Sequence, residues 1–339
     1  SECESALIKM MLAPKKYTPL LYVDCANGIG ASKMRLLADM LPPGVLSIEI
    51  RNETGTLNHQ CGADFVKIAR KAPATFEDVR VNERCAVFNG DADRLVYFYK
   101  KKNGKIELLD GDKIGLLIAQ FYKEHLEKMR LIDLDEVKFV IFQTAYANGN
   151  SSKYMREQLN TPPVIVPAGV KHLHDEAAKH DCAIYFEDNG NGTATFSKEF
   201  PVLLSNVLQP EAAMMKFVNS IFNEAGADAI STLLVVELII RRNDWTVQQW
   251  AEMYEDAPSM QLNIPVVDRS LFLTTPDETR LVEPAALQTK IDDAVGRRRG
   301  RARAFVRPSD TENTVCVYAE SASKTDAGKL AAEIKQAVK

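Results

Sequence analysis

One local order constrains the fold more than any other feature: a strand, a glycine turn, a helix and a second strand. Leu20-Leu21-Tyr22-Val23-Asp24 is a short apolar run, and Ala26-Asn27-Gly28-Ile29-Gly30 follows it directly. Helical spacing covers residues 31–40 and stops at Pro42-Pro43-Gly44, and residues 45–50 read as a second strand. A strand that reaches the next strand through a helix builds a parallel sheet covered by helices.

The same alternation continues. Ala86-Val87-Phe88 is a strand, Asn89-Gly90-Asp91-Ala92-Asp93-Arg94 is a polar loop, and a strand resumes over residues 95–100. Asn103-Gly104 predicts a hairpin turn, and Gly111-Asp112 opens a helix that runs to about residue 129. A second unit has strands at 138–142, 164–166 and 183–186 and helices from about 151 and over 172–180. One long helical stretch, 211–242, is expected to close it. Past Pro258 come strands at 304–307 and 314–319 and a final helix over 324–338. Three units are expected, at 1–130, 131–255 and 256–339: two related α/β domains with mixed or parallel sheets, then a smaller α+β domain. Residues 1–13 read as the interior of a helix and begin without Met, so a piece of a longer chain is expected.

Composition matters here mainly for what it excludes. A net charge of -4 over 339 residues gives no basic stripe, which argues against nucleic acid. Arg297-Arg298-Arg299-Gly300-Arg301 reads as a solvated loop. No apolar run is long enough to span a bilayer, and no signal peptide is visible. Six scattered cysteines without a C-x-x-C pair fit reduced thiols and a cytoplasmic location.

Four loops carry chemistry. Asn89, Asp91 and Asp93 are spaced two apart after an apolar strand, so several oxygens can face one hard cation; the other reading is a polar turn. Glu187-Asp188-Asn189-Gly190-Asn191-Gly192 also follows a strand. It either binds sugar hydroxyls at the carboxyl end of a sheet or is an Asn-Gly turn. Arg307-Pro308-Ser309-Asp310-Thr311-Glu312 joins a guanidinium to hydroxyls and turn N–H groups; it is a phosphate cradle or a polar turn between strands. Gly169-Val170-Lys171-His172-Leu173-His174 offers Lys171 to a phosphate or sugar oxygen, or only to solvent. Its histidines are spaced too closely for two helical zinc ligands.

Taken in this order, the loops resemble the α-D-phosphohexomutases, whose metal loop is D-G-D-x-D-R and whose phosphate loop is R-P-S-G-T-E. The likeness is closer to the eukaryotic phosphoacetylglucosamine mutases. It is carried by residues 23–31, 57–67, 82–97, 109–114, 143–150, 169–174, 185–195, 233–237, 246–250 and 303–320.

This resemblance implies domains two to four of a four-domain fold, with the first domain and its phosphoserine loop outside this sequence; no Ser-His-Asn occurs here. It implies interconversion of N-acetylglucosamine 6-phosphate and 1-phosphate, in UDP-N-acetylglucosamine biosynthesis. Magnesium and a sugar 1,6-bisphosphate intermediate are part of the implied chemistry. Residue by residue, Asn89, Asp91 and Asp93 fall on the metal loop and Arg94 on the arginine beside the phosphoserine. Glu187, Asn189 and Gly190 fall on the sugar loop, and Gly169 and Lys171 on the neighbouring loop. Arg307, Ser309 and Thr311 fall on the phosphate loop. The small-molecule partner is then a sugar phosphate, with no membrane or nucleic acid involved, and this chain alone is expected to be inactive.

Four residues depart from the pattern. Asn89 replaces an Asp, Asn191 a His, Asp310 a Gly and Cys316 an Arg. Asn89 is expected to offer the cation an uncharged oxygen. Asp310 is expected to be the most damaging, as a negative charge beside a phosphate. Two alternatives stand beside the mutase reading: a degenerate homologue that serves as a binding protein, and a mutase for glucose or mannose phosphate.

Overall fold

The computed structural model describes residues 14–132 and 137–338. The helix expected over residues 1–13 lies outside them. Among the described residues, three larger sheets and one two-stranded ribbon make up the strand architecture.

The first sheet contains β1 (Leu20–Asp24), β2 (Ser47–Arg51), β3 (Cys85–Phe88), β4 (Leu95–Lys100) and β5 (Ile106–Leu109). Its order is β2-β1-β3-β4-β5. β1 lies parallel to both β2 and β3, whereas β4 turns back antiparallel. Helix α1 (Gly30–Met40) makes the crossover, and the short α2 (Ala63–Ala69) precedes β3. Every residue of β3 is buried, as a strand covered on both faces requires.

Helix α3 (Gly111–Lys128) follows, capped by Asp110, whose side chain accepts from the Asp112 N–H. The second sheet contains β6 (Phe139–Gln143), β7 (Val164–Ile165), β8 (Cys182–Phe186) and β9 (Gly192–Phe196), in the order β7-β6-β8-β9. Helices α4 (Gly149–Glu157) and α5 (Val170–Ala177) lie between its strands. The layout repeats the first sheet: a parallel trio, then one antiparallel strand. The β3–β4 and β8–β9 loops are therefore equivalent places in two related sheets.

Helices α6 (Glu199–Ser205), α7 (Pro210–Ile221), α8 (Ala229–Arg242) and α9 (Val247–Ala251) come next. The expected single helix over 211–242 is two. The chain leaves α7 at Phe222 in an extended conformation. Asp228 then caps a new start, accepting from the N–H groups of Ile230 and Ser231.

The third unit has β10 (Ser259–Pro265), the hairpin β11 (Leu273–Thr274) and β12 (Leu281–Glu283), α10 (Ala285–Gly296), β13 (Arg303–Pro308), β14 (Thr314–Glu320) and α11 (Lys324–Val338). Its antiparallel sheet runs β10-β14-β13. The basic stretch ending α10 is more than a solvated loop, because Arg297 and Arg298 pair with Glu333 of α11.

One core spans the first two sheets and their helices, and the third unit has its own. At the junction of the first two lies a buried charge. Glu237 of α8 accepts from Arg84 Nε and Nη2 at 2.9 and 2.7 Å, from Tyr17 at 2.8 Å and from Tyr97 at 3.1 Å. Four donors satisfy both oxygens, as a buried carboxylate needs. Tyr97 also meets Trp250 edge-on at 5.1 Å. Among the described residues, no helix is long and apolar enough to cross a membrane, and five cysteines are free.

Candidate functional site

The metal loop leaves β3 as a closed turn. Asn89 Oδ1 accepts from the N–H groups of Asp93 and Arg94 at 3.1 and 3.0 Å. That fixes the amide, so Nδ2 donates to Asp93 Oδ1 at 2.6 Å. Gly28 must be glycine, since a Cβ there would stand 2.1 Å from the Gly90 carbonyl oxygen. Arg94 Nη1 donates to both oxygens of Asp64, at 2.9 Å each.

The sugar loop is closed in the same way. Glu187 Oε1 accepts from the Gly169 N–H at 2.9 Å and Oε2 from Asn189 Nδ2 at 3.3 Å. Asn189 Oδ1 accepts from the Asn191 N–H at 2.8 Å. Gly190 has φ of 88°, and a Cβ on it would stand 2.0 Å from the Leu95 carbonyl oxygen. This tight approach lets the Leu95 N–H reach the Gly190 carbonyl at 3.1 Å. Arg94 and Asn191 bridge antiparallel, and Asn191 Nδ2 reaches Asp93 Oδ2 at 3.1 Å. The metal and sugar loops are thus one bonded assembly.

The phosphate loop connects β13 to β14. Arg307 Nη2 donates to both Asp310 oxygens at 3.0 and 2.9 Å, and Arg307 Nε faces Glu278 Oε2 at 2.8 Å. Burial alone would lower the Arg307 pKa; the pairs with Asp310 and Glu278 raise it above the usual guanidinium range. Ser309 Oγ accepts from the N–H groups of Thr311 and Glu312, at 3.3 and 3.2 Å. Two of the turn donors a phosphate could take are therefore directed at Ser309. Glu278 Oε2 also accepts from the Ala168 N–H at 2.8 Å, next to Gly169. A polar chain therefore runs from Asp93 through Asn191, Asn189, Glu187, the adjoining N–H groups of Gly169 and Ala168, and Glu278 to Arg307.

Residues 6–96 match the model of phosphoacetylglucosamine mutase AMG1 domain II, and residues 110–245 match its domain III. Residues 263–337 match the phosphoglucomutase/phosphomannomutase C-terminal domain. The phosphoacetylglucosamine mutase of Sus scrofa is 44% identical over 327 residues, covering 94% of this chain and 59% of the relative. The chain belongs to the phosphoacetylglucosamine mutase family.

Two solved structures agree. The Aspergillus fumigatus N-acetylphosphoglucosamine mutase, in complex with GlcNAc-6P and magnesium, has a TM-score of 0.91 at 37% identity; the match covers 99% of this chain and 68% of that one. A serine-to-alanine variant of it, bound to glucose 1,6-bisphosphate, gives 0.88 at 37% identity over 99% of this chain and 64% of that one. The chain spans about three-fifths of the length of the curated relatives it matches.

Against the family pattern, the predicted residues divide into groups. Asn89, Asp93, Glu187, Asn189, Gly190 and Gly169 come together; Arg307 joins them through Glu278. Lys171 is exposed on the first turn of α5, and Asp91 is exposed on its loop. For a cation, Asp91 and Asp93 fit as oxygen donors. Asn89 Oδ1 already accepts from the N–H groups of Asp93 and Arg94. No cluster of three His, Cys, Asp or Glu side chains suited to a metal exists among the described residues. One orphan acceptor remains beside Asp93, the buried and unpaired Asn191 Oδ1. Cys316 is pushed up by burial.

A cavity of about 1240 Å³ opens among the three units on the Asp188 side of the sugar loop. It is lined by Lys67, Arg70, Asp110, Asp188, Asp256 and others, but not by Asp93, Glu187 or Arg307. Sequence reasoning missed Asp64, Glu278 and Lys67, the last paired with Asp188 at 2.5 Å. Asp64 and Lys67 lie inside the resembling stretch 57–67. Glu278 had no sequence signal, because its partners Ala168 and Arg307 are remote in the chain.

Proposed function

We propose that the protein interconverts N-acetylglucosamine 6-phosphate and 1-phosphate, through a phosphoserine and a sugar 1,6-bisphosphate, as a step toward UDP-N-acetylglucosamine. The observation that carries this reading is the bonded chain of three loops from Asp93 to Arg307. It matches in order the loops that hold a metal, a sugar and a phosphate. The relatives' names favour it over both the degenerate reading and the glucose or mannose phosphate readings. The comparisons do not bear out the expectation that this chain alone is inactive.

Arg307, with Ser309 and the N–H groups of Thr311 and Glu312, holds the phosphate that does not react, after Asp310 gives way. Glu187 and Asn189 take the sugar hydroxyls. Gly169 orients Glu187 by its N–H, and Gly190 lets the sugar loop meet the metal loop. Lys171 reaches the sugar phosphate from α5. Arg94 turns from Asp64 to the reacting phosphoryl group. Asp91 and Asp93 would hold magnesium, which supplies charge neutralisation when bound; Asn89 shapes their loop. Phosphoryl transfer needs mainly in-line positioning and neutralised charge, and these residues provide that. A P–O bond forms to the free sugar hydroxyl as the bond to serine breaks. The second transfer reverses this with the other phosphate. The serine belongs, in this reading, to a further domain.

The same reading divides the chain near residues 110 and 255, the first boundary drawn back from the expected 130 so that α3 goes with the second sheet. Free thiols fit a cytoplasmic enzyme.

A coupled assay tests the proposal. In the polypeptide that includes the serine domain, turnover of N-acetylglucosamine 6-phosphate should exceed that of glucose 6-phosphate, with magnesium and a trace of bisphosphate present. A preference for glucose 6-phosphate would reject it. So would sugar-phosphate binding that survives Arg307→Ala unchanged.

A further inference from the structure

Two of the four departures from the family pattern meet on one carboxylate. Asn89 Nδ2 donates to one oxygen of Asp93 and Asn191 Nδ2 to the other, at 2.6 and 3.1 Å. Both asparagines are nearly buried, 7% and 8% exposed. One contact closes the metal loop over four residues, and the other crosses from the second sheet.

The orientation of Asn89 follows from donor and acceptor chemistry. The backbone N–H groups of Asp93 and Arg94 need an acceptor, so Oδ1 faces them and Nδ2 faces Asp93. An aspartate at position 89 would keep the backbone bonds with one oxygen. Its second oxygen would then face Asp93, and two anionic oxygens at that distance need a cation between them. With asparagine the need disappears, because an N–H stands where the cation's charge would act.

We propose that Asn89 and Asn191 form an amide clamp on Asp93, which keeps the metal and sugar loops together without a cation and which magnesium must loosen to engage Asp93. The proposal rests on the reading of Asp91 and Asp93 as the metal-holding pair. Hydrogen bonds from amides to a carboxylate are charge-assisted and stronger than neutral ones. A carboxylate has about four lone-pair sites, so clamp and cation compete for Asp93 rather than exclude each other. The free Asn191 Oδ1 beside it is an acceptor left for a sugar hydroxyl.

The clamp differs from a simple count of ligand charges in one variant. Asn89→Asp adds a charge and removes a donor, so both accounts predict tighter magnesium binding, by about tenfold or more. Asn191→Ala adds no charge. A charge count predicts no gain from it, whereas the clamp predicts roughly threefold tighter binding, since one competing donor is gone. Titration calorimetry with magnesium on the protein and both variants reads this directly. Magnesium binding to Asn191→Ala that is equal or weaker overturns the clamp. Asn191→Ser serves as the second variant, with the same expectation, if the alanine form fails to fold.

Thermal unfolding gives an independent readout. The parent should melt only slightly higher in magnesium than in EDTA, and Asn89→Asp should fall in EDTA and recover with magnesium by a clearly larger shift. An equal response in parent and variant overturns the clamp. Titration with N-acetylglucosamine 6-phosphate in EDTA separates this proposal from the functional reading. Sugar-phosphate binding with coincident magnesium curves rejects the clamp alone. The expected magnesium pattern without sugar-phosphate binding supports the clamp and rejects the functional reading.

Discussion

The assembly at Asp93 and the loop that carries Arg307 are held in opposite ways. The metal and sugar loops lie between strands of two sheets that share a single apolar core. The four-donor cluster at Glu237 locks α8 to the first sheet behind them. The third unit has a separate core and meets the rest mainly through polar pins. Glu320 accepts from the Gly149 N–H, Arg303 donates to the carbonyls of Ala145 and Ala147, and Glu278 accepts from the Ala168 N–H. Among the described residues, Ala145, Tyr146, Phe305 and Tyr318 add a small apolar contact. A continuous core resists shear, because sliding it exposes apolar area at about 25 cal/mol per Å². Polar pins can exchange for water at little net cost. The metal-to-sugar spacing is therefore fixed and the phosphate loop adjustable. The proposed reaction takes a sugar phosphate by either end and would need both properties.

The largest expected effect is on the fixed half. Glu237→Ala leaves Arg84 buried and unpaired, so chemical unfolding should show a loss of about 3–5 kcal/mol. Glu237→Gln keeps an acceptor and should lose less. A loss below about 1 kcal/mol for the alanine variant would mean that this junction is not what fixes the two sheets.

The seam gives the next effect. Asp256 is raised to about 6, by burial first and by Asp110 second, with Lys113 opposing. The folded state then binds a proton more tightly than the unfolded one. The resulting penalty is absent below about pH 4 and grows as pH rises through 6, so stability falls over that window. His125, lowered to about 4 by burial, gives a slope of the opposite sign over a similar range. It is common to parent and variant and cancels in their difference. Asp256→Asn should therefore gain about 2 kcal/mol at pH 7 and almost nothing at pH 4. A gain independent of pH would contradict this origin.

The smallest effect is on the adjustable half. The Arg307–Asp310 pair is exposed on the Asp310 side, so Asp310→Gly should change stability by less than about 1 kcal/mol. It frees Arg307 and removes a charge beside the phosphate. Affinity for N-acetylglucosamine 6-phosphate should rise about tenfold by titration calorimetry, about 1.4 kcal/mol. Unchanged affinity would mean that Arg307 is not the phosphate's partner.

Where chemistry follows a strand directly, the sequence was legible. Strands β3, β8 and β13 are short apolar runs ending at Asn89, Glu187 and Arg307, so the loops could be placed from spacing alone. What contacts them could not. Asp64 on Arg94, Asn191 on Asp93 and Glu278 on Arg307 join residues far apart in the chain, and spacing carries no information about such pairs. Strand β9 hid inside the glycine-rich stretch after Asn191. Strand β10 and its hairpin carry weak alternation on a half-exposed edge. The break between α7 and α8 is set by the Asp228 cap, which a reading of apolar content passes over. Asp310 was read as facing the phosphate; in the structure its carboxylate pairs with Arg307.

Distances between spin labels would test the fixed and adjustable halves most directly. Labels at exposed Lys102 and Lys153 report the spacing of the first two sheets, and labels at Lys153 and exposed Lys290 report the third unit. On saturation with N-acetylglucosamine 6-phosphate, the first distance should stay constant while the second shifts and its distribution narrows. A first distance that changes as much as the second, or a second that does not respond to bound ligand, would contradict the account.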